Sequence, residues 1–394
     1  PSGSLQINES TYSSDLLLSG GSMVSEINKR IKLSANHINL FELASSGTQN
    51  VSVRNPVNDM SILHHFGNEK YHIEQKLQTG FSRRYWLNSE LGDGIPDSIS
   101  NDIKGMYFEI DNKFVKKDSS LLLSLGYRYV DPNFRSSGAQ TRRLDYASGK
   151  INTIYPIYTN MSLIRQPSLF DLVSDDQLYN QDISSTLMVF NPIYSNILPY
   201  GDATPNRVGV YLKAKSTNQN KVFLSKINAA YFQEVIGQGT EEKRDFGLLK
   251  GSFKINFHRW LNWEKELSFS ASSESEFTSR GGKTVSSVDL FSHQMNVFVN
   301  AELINRFFIQ TSYKLFTASG NEFLTQRDNY GNITYFTSTQ IDQKDHMFSF
   351  GTLYKFRENV YANLQYSWWG SKFTDQPFLD YNYNRLILIL SVKL

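Results

Sequence analysis

The chain has 394 residues, 40 basic and 38 acidic side chains, no cysteine, and 14% aromatic residues within a hydrophobic share of only 40%. The lack of cysteine excludes disulfides, thiolate metal sites and cysteine nucleophiles, and a formal charge of +2 gives no global electrostatic case for nucleic acid. Mean hydropathy is −0.41, and the densest apolar run, residues 386–390, is far shorter than the roughly 18 residues a membrane helix needs.

The chain opens at Pro1 without a charged and apolar leader, which is expected either of a chain that is never exported or of one already processed. Residues 1–68 include LQINES, SDLLLSGG and NVSVRNPVND without sustained alternation. They are expected to form an extended N-terminal segment, either as strand or inside a lumen. His64, His65 and His72, with Glu74, lie close enough in sequence to suggest a divalent metal site. Adjacent histidines point opposite ways on an extended chain, however, so the preferred reading is structural, with no metal ligands assigned.

From about residue 69 onward, segments of about ten residues alternate between apolar and polar positions, separated by Asn, Asp, Gly and Ser clusters. Met106, Phe108, Ile110 and Phe114 share one face; Leu121, Leu123, Leu125, Tyr127 and Tyr129 share the next. The pattern resumes with Val208, Val210 and Leu212, then Ile227, Ala229 and Tyr231, then Leu249, Phe253 and Ile255. It continues through Phe269, Val297, Ile309 and Phe350, and after a short turn at RENV it includes Leu364, Tyr366 and Trp368. The last run, YNYNRLILILSVKL, sets Leu386, Leu388, Leu390, Val392 and Leu394 on one side.

This pattern predicts an all-β fold, a transmembrane antiparallel β-barrel of about 14 strands within a range of 12 to 16, an even number being favoured. Aromatic residues near strand ends, such as Tyr127 with Tyr129, Trp368 with Trp369 and Trp260 with Trp263, are expected to form interfacial girdles. A soluble sandwich or propeller also has alternating strands. No blade-length motif recurs, and the face opposite the apolar one carries many lysines, which favours a barrel with a polar lumen.

That inward face is expected to be a basic wall built from Lys76, Lys113, Lys213, Lys226, Lys250, Lys254, Lys314 and Lys355. Residues 132–206 break the strand rhythm and are too long for an ordinary connection, so the barrel is expected to span residues 69–394 with this loop inserted. Within the loop, QPSLFDLVSDDQLY reads as a short helix capped by Ser168, and Pro192, Pro199 and Pro205 stiffen the path into the following strand. Asp171, Asp175, Asp176 and Asp182 make it acidic, and opposite charge in a confined lumen predicts a plug or gate folded against the basic wall. Asp175, Asp176 and Asp182 lack the glycine turn and ligand spacing of an EF-hand loop, and no calcium is assigned to them.

Catalysis finds little support. GFSRRYW, with Ser82 and Arg83, is faintly like part of a phospholipase motif, but the accompanying elements are missing. His293 falls on the lipid-facing parity and His346 near the start of a strand, neither with an evident nucleophile beside it. The reading is non-enzymatic, with no catalytic residues, no cofactor, no nucleic-acid partner, and lipid, lipopolysaccharide and other envelope proteins as partners in a bacterial outer membrane.

The richness in Asn, Ser and Tyr, the LILILSVKL ending and the stiff ILPYGDATPNRVG entry into a strand resemble outer-membrane barrels of the Bacteroidota. The resemblance covers the strand pattern and pins no named family. It implies either a solute channel or an accessory subunit of a large envelope machine, such as the type nine secretion translocon or a barrel-assembly complex. The polar inner face departs from the fatty-acid-transporter version. Two expectations follow: a non-catalytic subunit or scaffold of an envelope transport, secretion or assembly complex, its lumen occluded by residues 132–206, or a gated porin-like channel for small polar or anionic solutes. The first is preferred because two long non-strand segments leave little room for a pore.

Overall fold

The computed structural model describes residues 5–7, 10–12, 16–42, 51–67, 70–88, 98–136, 196–199, 201–218, 220–237, 240–283, 286–327, 333–357, 360–374, 377 and 380–392. A small hairpin, β1 (Leu5–Ile7) and β2 (Ser10–Tyr12), forms its own two-stranded sheet. All other strands join one sheet. They are β3 (Leu16–Asn28), β4 (Ile31–Glu42), β5 (Val51–Gly67), β6 (Tyr71–Asn88), β7 (Ser98–Lys116) and β8 (Leu121–Val130). After the long loop come β9 (Arg207–Thr217), β10 (Phe223–Gln233), β11 (Asp245–Asn256) and β12 (Leu267–Arg280). The last are β13 (Val288–Ile304), β14 (Phe307–Arg327), β15 (Ile333–Arg357), β16 (Val360–Phe373) and β17 (Tyr381–Val392).

The sheet holds 15 strands in strict sequence order, β3 to β17, each antiparallel to the next. This is the up-and-down connectivity of a transmembrane barrel. Among the described residues the count of 15 lies within the expected range of 12 to 16. Residues 16–67, which show no clean alternation in sequence, contribute three strands of wall. Their pattern is masked because Ser19, Gly21 and Ser25 share a face with Leu17, Met23 and Ile27, and because Pro56 sits inside β5. Pro56 is tolerated where it pairs with Asn39 of β4 but has no partner position on β6.

The two faces differ as the alternation requires. Outward positions include Met60, Ile62, Phe81, Leu125, Ile227, Leu249, Phe253, Phe348 and Leu364, all exposed large hydrophobics. A contiguous apolar surface of this extent, on strands whose backbone bonds are satisfied by their neighbours, fits lipid rather than water. No helix among the described residues is long and apolar enough to cross a membrane. On β17, the last strand in the order, Leu386 and Leu388 are 70% and 72% exposed, against 46% for Leu364 of β16.

The connections sort the ends of the sheet. Connections at one end, residues 29–30, 68–70, 117–120, 218–222, 305–306 and 358–359, have five residues or fewer, with residues 257–266 and their helical turn Phe257–Trp260 the longer exception, whereas those at the other end include residues 43–50, 89–97, 131–206 and 234–244. Aromatic pairs cluster near the short turns: Tyr71 with Phe114 at 4.9 Å, and Phe223 with Trp260 at 5.7 Å. Trp368 faces outward as expected of a girdle, but Trp369 does not. As the next residue on a strand it points inward, where it is 4% exposed and packs with Met347, Tyr381 and Tyr383.

Candidate functional site: the luminal wall

Buried positions fix which parity faces inward. On β8 these are Ser124, Gly126, Arg128 and Val130, alternating with exposed Leu121, Leu123, Leu125 and Tyr127. Following the register from strand to strand puts all eight lysines of the expected wall on this inner face. Lys113 lies opposite Ser124, Lys213 opposite Ser124 and Asn228, and Lys226 opposite Ser252. Lys76, Lys250, Lys254 and Lys355 follow the same parity, opposite Asp111, Asn228, Ser270 and Tyr361. Lys314 is set apart: it is 4% exposed, deep in the wall.

The wall is less uniformly basic than the sequence reading held. Glu74 binds Lys113 at 2.8 Å and Glu274 binds Lys250 at 2.6 Å. Lys213 and Lys355 lie over the rings of Tyr211 and Phe308 at 4.6 and 4.3 Å. Toward the short turns, Lys213, Lys215, Lys226 and Lys254 are open to water. Lys215 and Lys226 face each other directly across β9 and β10. Like charges in that position cost stability, so the arrangement is not explained by folding.

Both ends of residues 131–206 turn inward. Phe134 is 2% exposed and meets Tyr107 edge-on at 5.2 Å, and Gly105 of β7 permits the approach, since a Cβ there would stand 2.2 Å from the Phe134 nitrogen. At the other end, Ile197 packs with Tyr211, Phe232 and Phe246. The Asn196 side-chain amide donates to Thr278 Oγ1 at 2.9 Å and Glu322 Oε2 at 3.1 Å, and its backbone N–H donates to Glu276 Oε2 at 3.0 Å. Asp202, in a single 3-10 turn of residues 201–203, accepts from Arg128 at 2.6 Å, and Arg128 also reaches Glu109 at 2.8 Å.

These contacts revise the expected acidic-loop-on-basic-wall picture. Where the loop ends are described, Asp202 on Arg128 has the expected sense, but Asn196 meets wall carboxylates instead. Glu322 in turn pairs with Arg244 at 2.9 Å, and Glu234 with Arg244 at 3.4 Å. Asp171, Asp175, Asp176 and Asp182, and the helix predicted around them, lie outside the described residues. The sequence reading missed Glu276, Glu322, Arg207 and Arg280 as inward residues. Their parity with Phe246 and Leu290 across neighbouring strands was the available signal.

His293 keeps the expected outward parity, whereas His346 lies inside β15 rather than near its start. His293 faces Ser275 across β12 and β13, with Oγ 2.8 Å from Nδ1, and His346 accepts or donates at 2.6 Å with the Tyr313 hydroxyl. Both lie on the outward parity, where a polar side chain has to bring its own partner. His65, His72 and Glu74 come together on the inner face, their ligand atoms all within 4.8 Å of one another, whereas His64 points outward beside Phe66.

No family model matches the sequence, and no curated protein sequence matches it. Among solved structures it is similar to OmpT, an outer membrane protein of Vibrio cholerae, at 7% identity over 95% of this chain and 91% of that chain, with a TM-score of 0.31. It is similar to an anion-selective porin from Comamonas acidovorans at 9% identity over 97% and 100% of the two chains, with a TM-score of 0.30. An outer membrane channel from Pseudomonas putida F1 is 8% identical over 93% and 97%, with a TM-score of 0.21. At this distance, the all-antiparallel transmembrane architecture rests on the strand pairing described above.

Proposed function

We propose that the chain is a porin-like channel of a bacterial outer membrane that passes small polar or anionic solutes, with the passage narrowed where residues 131–136 and 196–206 turn inward. The observation carrying this reading is the group Lys213, Lys215, Lys226 and Lys254, water-exposed on the inner face and including a like-charged pair directly opposed across two strands. A polar wall holding unneutralised cations raises the local concentration of anions. This reading is favoured over the occluded subunit because β3, β4 and β5 pair into the sheet rather than lie inside it. Short turns at one end and long loops at the other support periplasmic and extracellular sides, respectively. The Bacteroidota resemblance supports this setting. We assign no catalytic step.

The test is planar-bilayer recording of the folded chain across a potassium chloride gradient. Discrete conductance steps with a reversal potential on the chloride side are expected. A folded, membrane-inserted chain that gives no steps, or that prefers potassium, sinks the proposal. In the first case the remaining reading is the occluded subunit of an envelope complex.

A further inference from the structure

His65 lies directly opposite Glu74 in the β5–β6 register, and His72 precedes Glu74 by two residues on the same strand. Side chains two apart on a strand share a face, and the diagonal neighbour across an antiparallel pair is within reach of a long side chain. All three therefore project from one patch of the inner wall, close to the short turn of residues 68–70. The imidazoles stack with centroids 5.1 Å apart and planes at 20°, and bring His65 Nδ1 within 3.1 Å of His72 Nε2. Glu74 Oε1 stands 3.5 Å from the same His72 nitrogen.

We propose that His65, His72 and Glu74 form a divalent transition-metal site on the luminal wall, of the zinc, nickel or copper class. Two imidazole nitrogens and a carboxylate oxygen are the donors those ions prefer over the oxygen-only sets of calcium and magnesium. In a tetrahedral zinc site with bonds of about 2.0–2.1 Å, neighbouring ligand atoms stand roughly 3.3 Å apart. The 3.1 Å and 3.5 Å separations bracket that spacing. Lys113 binds the other carboxylate oxygen, Oε2, at 2.8 Å, so it orients Glu74 without occupying the oxygen that faces the imidazoles. An outer contact of this kind commonly fixes a ligating carboxylate. With three protein ligands the ion keeps at least one position for water or a solute anion. The His72 and Glu74 side chains are 42% and 24% exposed, which leaves the site reachable from the lumen.

The site goes beyond the channel reading and does not depend on it. It is tested on the tag-free full chain, folded in detergent and checked by heat-modifiable migration. Zn2+ titration by calorimetry reads affinity, and Cu2+ electron paramagnetic resonance reads the ligand nitrogens. One ion per chain with two coordinated nitrogens is expected. His65→Gln, His72→Gln and Glu74→Gln each weaken binding by about tenfold or more. His64→Gln, which alters the outward-facing neighbour, leaves binding unchanged. Absence of stoichiometric Zn2+ binding, equal binding by the wild type and His72→Gln, or a loss in His64→Gln as large as in His65→Gln overturns the proposal.

Discussion

Arg207, the first residue of β9, donates from Nε to the carbonyl oxygen of Ile197 at 2.9 Å, fastening the inward-turned loop to the strand that leaves it. The same guanidinium reaches the Asn196 carbonyl at 3.1 Å and lies 3.8 Å over the Phe246 ring. Arg207→Ala removes all three contacts and leaves buried carbonyls without a donor. The expected loss of stability is on the order of 1–3 kcal/mol. If the segment narrows the passage, single-channel conductance of the variant rises as well. A less stable variant with unaltered conductance would identify the segment as packing only.

Charge reversal tests the wall. In Lys226→Glu with Lys254→Glu, two exposed luminal cations become anions while the outward face is untouched. The chloride preference is expected to fall or invert, with little change in the size of the conductance steps. Reversal-potential measurements at two ionic strengths check this, because screening shrinks the difference at high salt.

The assignment of faces is tested by two adjacent residues of β11. Leu249 is 59% exposed on the outward parity, and Lys250 is luminal. Leu249→Arg puts a charge into lipid and is expected to cost about 2–4 kcal/mol if the position is near the bilayer midplane. Lys250→Gln should cost far less. Urea unfolding from lipid vesicles compares them, and equal costs would contradict the inside–outside parity.

The β7–β8 turn supplies a pH dependence. Asp118 accepts from the Ser120 backbone N–H at 2.9 Å and pairs with Lys116 at 2.9 Å, and bonds to Ser120 and Lys116 hold its carboxyl at about 2, below the usual 3.8. A carboxylate depressed in the folded state stabilises it fully above the unfolded value, and that contribution is lost as pH falls from about 4 toward 2. Wild type should therefore lose stability over this interval relative to Asp118→Asn, which carries no such group. Parallel pH profiles of the unfolding midpoint would disprove the linkage.

Period-two alternation made the sheet legible wherever apolar residues hold one parity without interruption, as in Leu121 to Tyr129 and Leu386 to Val392. It failed in β3 and β5, where serine and glycine occupy outward positions and a proline interrupts, since small side chains at a lipid face carry no hydropathy signal. The lysines of the lumen were readable by the same parity. Glu274, the partner of Lys250, was not, because it lies in a serine-rich run, SASSESEF, whose neighbours give little contrast. The convergence of His65 with His72 depends on cross-strand register around a short turn, which a one-dimensional pattern does not encode.

The inner face is uneven along its length: exposed cations stand toward the short turns, and the tethered, ion-paired ends of the long loop stand toward the other end. A passage with its fixed charge at one mouth and its resistance at the other fills with counter-ions under one polarity of voltage and empties under the opposite one. Under the proposed channel function such a conduit rectifies, and its current–voltage curve bends in a direction that reports which way round the protein sits in the membrane.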